Sequence, residues 1–138
     1  MRAIALSLIL GLTVLAADAA PTDSIVKLAT ALSGSDSSSA LSYFDSKMKN
    51  YGAIEANLEA LAAQADVTCA IDIVTDDEEP GGAHKLSLDW YMTLKSQSDP
   101  MLQERRREQV QVEMRRSGNR WKIVSMSPLS ILEAIKIQ

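Results

Sequence analysis

Hydrophobic positions change their spacing twice along this chain. Met1 and Arg2 precede fifteen uncharged residues, 3–17, rich in Leu, Ile and Ala. From residue 22 the apolar positions fall at helical intervals: Ile25, Leu28, Ala29 and Leu32, then Leu41, Phe44 and Met48, then Ile54, Leu58, Leu61 and Ala62. Spacings of three, four and seven place such residues on one face of a helix. Three helices are predicted: the first starting at Pro21-Thr22-Asp23 and stopped by Gly34, the second capped by the serine run 35–39, the third over 52–65.

After residue 66 the period becomes two. Val67, Cys69, Ile71 and Ile73 alternate with Thr68, Ala70, Asp72 and Val74. Leu86, Leu88, Trp90, Met92 and Leu94 alternate with Ser87, Asp89, Tyr91 and Thr93, and Val110, Val112 and Met114 continue the pattern. Period two sends side chains to opposite faces of a strand. Strands are predicted over 67–74, 84–95, 104–116 and 120–126. A loop at 75–82 carries Pro80-Gly81-Gly82, and Ser117-Gly118-Asn119 is a tight hairpin. Pro128 ends the last strand, leaving 131–138 as a short tail helix or frayed end. Helices followed by an antiparallel meander indicate an α+β fold, helices covering one face of the sheet.

The apolar N-terminus adds a processing step. A positive start, a run too short for a membrane span and the small-x-small triplet Ala17-Asp18-Ala19 read as an export signal cleaved after Ala19, with Ala20 the neighbouring alternative. The organisation is then a signal over 1–19, one domain over 21–130 and a tail over 131–138. The mature chain has no second span and is expected in a periplasm or outside the cell.

Composition is 46% hydrophobic and 23% charged, with a formal charge of −4. That supports a packed domain and argues against general nucleic-acid binding, which needs a basic face. Cys69 is the one cysteine, so no internal disulfide forms; its parity places it on the apolar face as a structural thiol. One histidine and one cysteine leave no zinc set and no nucleophilic triad, and no cofactor is expected. The acidic run 76–79 lacks the spacing of a calcium loop and reads as a solvated hairpin tip.

Ala31-Leu32-Ser33-Gly34 with Tyr43-Phe44-Asp45, and Gly118-Asn119-Arg120-Trp121-Lys122-Ile123-Val124, give a resemblance to the nuclear transport factor 2-like superfamily. The resemblance spans about residues 23–129. It implies a strongly curved antiparallel sheet wrapped around helices, a cone with an interior cavity. Members include steroid isomerases, polyketide cyclases, dehydratases and many non-catalytic domains, so the fold leaves function open.

Isomerase chemistry needs a carboxylate base with a tyrosine and a protonated acid inside an apolar cavity. Asp72 and Asp89 lie on the polar parity, so those roles are not transferred. Dehydratase-type members use a His–Asp pair, and His84, beside a glycine-rich loop, is expected to face solvent. In the triplet 105–107, alternation separates Arg105 and Arg107 from Arg106, which shares the inward parity with Glu104 and Glu108. The candidate ligand-binding residues are therefore Tyr43, Tyr51, Trp90, Glu104, Arg106 and Trp121. The expected function is non-catalytic binding of a small apolar ligand or a protein partner, with a lyase or isomerase as the alternative. A homodimer is a further expectation, through the sheet face of Lys85, Asp89, Tyr91 and Thr93.

Overall fold

The computed structural model of the protein describes residues 19–135. The export-signal reading falls outside that range apart from Ala19. Helix α1 is Pro21–Ser33, α2 is Ser37–Leu41 and α3 is Tyr51–Gln64. Strands follow as β1 Ala65–Glu78, β2 His84–Ser96, β3 Gln103–Ser117 and β4 Arg120–Ser127. The strands pair in sequence order, β1-β2-β3-β4, every neighbour antiparallel.

Local chemistry sets the helix ends. Pro21 opens α1, where its missing N–H has no helical partner to lose, and the Asp23 carboxylate accepts the Ala20 N–H at 3.1 Å. Asp36 caps α2 by accepting from the Ser39 N–H at 3.1 Å and the Ser39 hydroxyl at 2.7 Å. Those bonds hold the Asp36 carboxyl below its ordinary value. The serine run is thus a capped turn.

The second helix is shorter than its apolar spacing predicts. It stops at Leu41, and residues 43–45 extend beside β4 instead. The Ile123 N–H donates to the Tyr43 carbonyl and the Asp45 N–H to the Ile123 carbonyl, both at 2.8 Å. Phe44 reaches the core from this parallel bridge, not from a helix. Two backbone bonds to a distant strand have overridden a local helical pattern.

Two bulges bend the sheet. Between Ile73 and Thr75 the β1–β2 register skips Val74, and between Glu113 and Met114 the β3–β4 register skips Val124. An unpaired residue sharpens twist and reverses the facing of the residues beyond it. On β4 this lets Trp121 and Ile123 point inward and Met126 do so as well. On β1 the strand continues past it through Glu78, so the first half of the predicted 75–82 loop is strand. Gly81 and Gly82 make the remaining turn at φ +94° and +92°.

The core lies between the helices and the inner sheet face. Ile25, Leu28, Ile54, Leu58 and Leu61 meet Leu86, Leu88, Trp90, Met92, Leu94, Val110 and Met114, all buried. The segment after β4 joins them: a 3-10 turn at Ser130–Leu132 buries Ile131 and Leu132, and Ile135 is buried beyond it. The expected tail helix or frayed end is, to residue 135, packed chain.

Because Phe44 enters the core from the bridge, Phe44→Ala both empties a core site and weakens that bridge. The expected loss is about 3–5 kcal/mol, read as the shift of a urea unfolding curve. A loss near 1 kcal/mol contradicts this account of the bridge.

Candidate functional site

The inner face of the sheet has three regions, among which Trp90, Trp121 and the Glu104–Arg106 pair divide, while Tyr43 and Tyr51 lie beside the sheet. Trp90 occupies the middle. Its exposure is 0%, as is that of Leu88, Met92 and Leu94, so solvent does not reach these side chains. Around these residues side chains fill the interior where the resemblance implies a cavity. The Trp90 indole N–H has no hydrogen-bond partner of ordinary geometry. It leans on the Cys69 thiol, a small opposing pull on a group that burial pushes up to about 12.

The hairpin end holds Trp121. His84 meets its ring edge-on, centroids 4.9 Å apart, and the Arg116 guanidinium lies 5.7 Å over it. His84 Nδ1 is 2.7 Å from Asp76 Oδ1, with the His84 side chain only 18% exposed. The solvent-facing histidine expected from sequence is therefore a paired one. The cause is the Val74 bulge: it turns Asp76, opposite Leu86, to the inward face that His84 shares. Two of the four acidic residues of the run are paired, Asp76 with His84 and Glu79 with Lys85 at 3.6 Å, while Asp77 and Glu78 stay exposed. Tyr43 lies on the flank of β4, with Arg120 stacked 4.8 Å over its ring and donating to the Ser42 hydroxyl at 2.8 Å. Tyr51 opens α3 and packs against the core.

Glu104 and Arg106 lie at the mouth of the cone, opposite Leu94 and Met92 of β2. They pair through Arg106 Nε and Glu104 Oε2. The Arg106 side chain is 11% exposed, and its guanidinium also donates to the carbonyls of Ile131 at 3.0 Å, Glu133, and Ala134 at 3.3 Å. Four of the five guanidinium N–H groups are thereby used, one on Glu104 and three on the carbonyls of the C-terminal segment. A cleft of about 560 Å³ opens beside this clasp, lined by residues 104–108, Ser130, Ile131 and Glu133. A smaller hollow of about 50 Å³ adjoins it between Leu94, Leu102 and Ile135.

The mouth pair was legible in the alternation of residues 104–108; the carbonyls it holds were not, because no spacing signals a side-chain-to-backbone clasp. The outer sheet face carries a second pair. Arg107 grips Asp89 through two bonds of 3.1 and 2.8 Å, and Asp72 stands opposite Asp89. The Arg107 bonds hold the Asp89 carboxyl below its ordinary value.

Two consequences are measurable. With its thiol pushed up to about 12, Cys69 carries a thiolate fraction on the order of 10⁻⁴ at pH 8. Ellman's reagent should leave it untouched in the folded protein and label it fully in guanidinium; prompt labelling of the native state contradicts the burial. Asp89 titrates below 3.8 when folded, so its pairing stabilises fully above that value and is lost as pH falls through the lowered one. Asp89→Asn should therefore flatten the acid limb, its urea midpoint falling less than the wild type's as the pH drops below about 4. Parallel limbs mean that the pair carries no stability.

No family model and no curated protein matches the sequence. Solved structures match its fold. A conserved protein from Planctomyces limnophilus DSM 3776 superposes with a TM-score of 0.66 at 9% identity, over 76% of this chain and 88% of that one. A ketosteroid isomerase-like protein from Erwinia carotovora atroseptica SCRI1043 gives 0.63 at 9% identity, over 77% and 89%. A nuclear transport factor 2-like superfamily protein from Salmonella enterica serovar Typhimurium LT2 gives 0.60 at 12% identity, over 76% and 84%. At such identities the likeness speaks to architecture. Helices packed on a curved four-stranded antiparallel sheet, matched over three quarters of the chain by these structures, give this protein the nuclear transport factor 2-like fold.

Proposed function

We propose that this chain is an exported, non-catalytic binding module whose site is the mouth of the cone. The observation that carries the reading is the contrast between a filled interior and an open mouth. Enzymes of the isomerase type hold a carboxylate in a dry cavity with its pKa raised. Here the buried polar side chains among the described residues are Ser24 and Ser96. The carboxylates with a resolved shift, Asp36 and Asp89, are both lowered. One neighbour in fold is ketosteroid isomerase-like, but fold does not carry activity with it. The mouth, by contrast, opens a 560 Å³ cleft lined by the charged side chains of residues 104–108 and Glu133, by Ser130 and by one apolar side chain, Ile131, and the small hollow beside it adds Leu94, Leu102 and Ile135. A concave site whose fixed charges border an apolar patch suits an amphipathic partner. Export is supported by the positive start, short apolar run and Ala17-Asp18-Ala19 triplet.

A second reading rests on the outer sheet face. Tyr91 is exposed there, close to the Arg107–Asp89 pair, with Lys85 and Thr93 alongside. A second copy of the chain is the partner this face would take, and sedimentation at high protein concentration tests it.

Native mass spectrometry of the protein recovered from periplasm or medium tests the first reading. The expected species begins at Ala20 and carries a non-covalent companion that Arg106→Glu removes. A chain that retains Met1 sinks the export part. A companion that survives Arg106→Glu moves the site away from the mouth. Conversion of a β,γ-unsaturated ketosteroid above the buffer rate would replace the whole reading with the isomerase alternative.

A further inference from the structure

β3 is fifteen residues long and β4 only eight. β4 covers β3 from Gln111 to Ser117. Residues 103–110 pair with β2 on one side and, among the described residues, with no strand on the other. The chain that leaves β4 turns aside and fills the space next to that bare edge by a different means. Ile131, Leu132 and Ile135 enter the core. Among the described residues, the backbone-to-backbone hydrogen bonds seen in this segment are local, Leu132 to Leu129 and Glu133 to Ser130. What ties it to the body is side chains: Arg106 on three carbonyls, and Gln64, whose Oε1 accepts the Ile135 N–H at 3.0 Å.

These contacts set out the chemistry that the mouth offers. Arg106 donates to peptide carbonyls and Gln64 accepts from a peptide N–H, while Leu94 and Leu102 offer aliphatic surface beside Ser96, Gln103 and Glu104, and the segment's own Ile131, Leu132 and Ile135 are buried. The resident segment is thus a peptide ligand held in cis, and among the described residues it leaves β3's outer edge at 104–110 without a ladder. We propose that the mouth is a docking groove for an extended aliphatic peptide, which adds as a strand to residues 104–110 of β3 and takes the place of residues 130–135. This rests on the binding-module reading of the mouth.

Competition sets the terms. A tethered segment acts at an effective concentration in the millimolar range, so a peptide offering only the same contacts competes poorly. The bare edge supplies the difference. Each ladder bond gained is worth roughly a fivefold factor, and an edge of seven residues offers several. The resident segment reduces the apparent affinity by the fraction of time it occupies the groove. The Gln64 acceptor favours a peptide over a fatty acid, which has no N–H to offer it.

Hydrogen exchange on the full chain tests this, with the N-acetylated heptapeptide Leu-Ser-Ile-Leu-Glu-Ala-Ile as the probe. At millimolar peptide, amides 104–110 should slow at least tenfold and amides 130–135 should speed up by a similar factor. An Ile131→Asp, Leu132→Asp chain, its own segment expelled, should bind the fluorescein-labelled peptide at least tenfold more tightly than the wild type. Should that variant fail to fold, the wild-type exchange decides alone. Unchanged exchange in both regions, or equal affinity in a folded variant, overturns the proposal. Release of residues 130–135 by dodecanoate but not by peptide overturns the peptide occupant and leaves the binding-module reading standing. Silence to both ligands sinks both.

Discussion

Everything in this domain leans on the inner face of β2. Five large apolar side chains, Leu86, Leu88, Trp90, Met92 and Leu94, stand in a row at 0–1% exposure. Burying each is worth about 1.5–3 kcal/mol relative to leaving it in water, so the row alone is comparable with the net stability of a typical domain. Helices α1 and α3, strand β3 and the C-terminal turn all supply partners to that row. A one-residue slip in pairing would expose all five and bury Ser87, Asp89, Tyr91 and Thr93 instead, which fixes the register on both sides.

This row was also the most readable part of the sequence, for the same reason. A strand buried on one face must alternate, and Leu86 to Leu94 do so without a break. The Gly118 turn was equally plain, because φ of +64° calls for glycine. The bulges at Val74 and Val124 were not readable. Valine suits a regular strand as well as a bulged one, so nothing in its identity marks the skipped register. Without the first bulge, Asp76 points away from His84, and the pair between them cannot be inferred. Likewise, Leu41, Phe44 and Met48 fit a helix by spacing, while the bond partner that breaks it, Ile123, lies far along the chain.

The candidate site shows the same division. Alternation alone put Glu104 and Arg106 on the inward face, and they do meet. What they hold could not be read, since a carbonyl has no side-chain identity. Tyr43, Tyr51, Trp90 and Trp121 group as an aromatic wall only by analogy with a hollow cone, and a solid cone distributes them between core and flank. Packing volume, not residue type, decides between those outcomes, and one sequence does not encode it visibly.

Ser33 has a quieter part. Its hydroxyl accepts the Cys69 N–H at 3.0 Å and donates to the Cys69 carbonyl at 3.2 Å, so the last residue of α1 completes both backbone groups of one β1 position. A single side chain there imitates the neighbour that β1, at the sheet margin, lacks. Such margins are templates on which other chains assemble, and proteins guard them. Here the guard depends on the first helix staying docked. Any event that lifts α1, including a mutation in its buried stripe, would bare a sticky strand border before the rest of the domain unfolds. Heat or crowding would then show itself first as self-association, not as lost secondary structure.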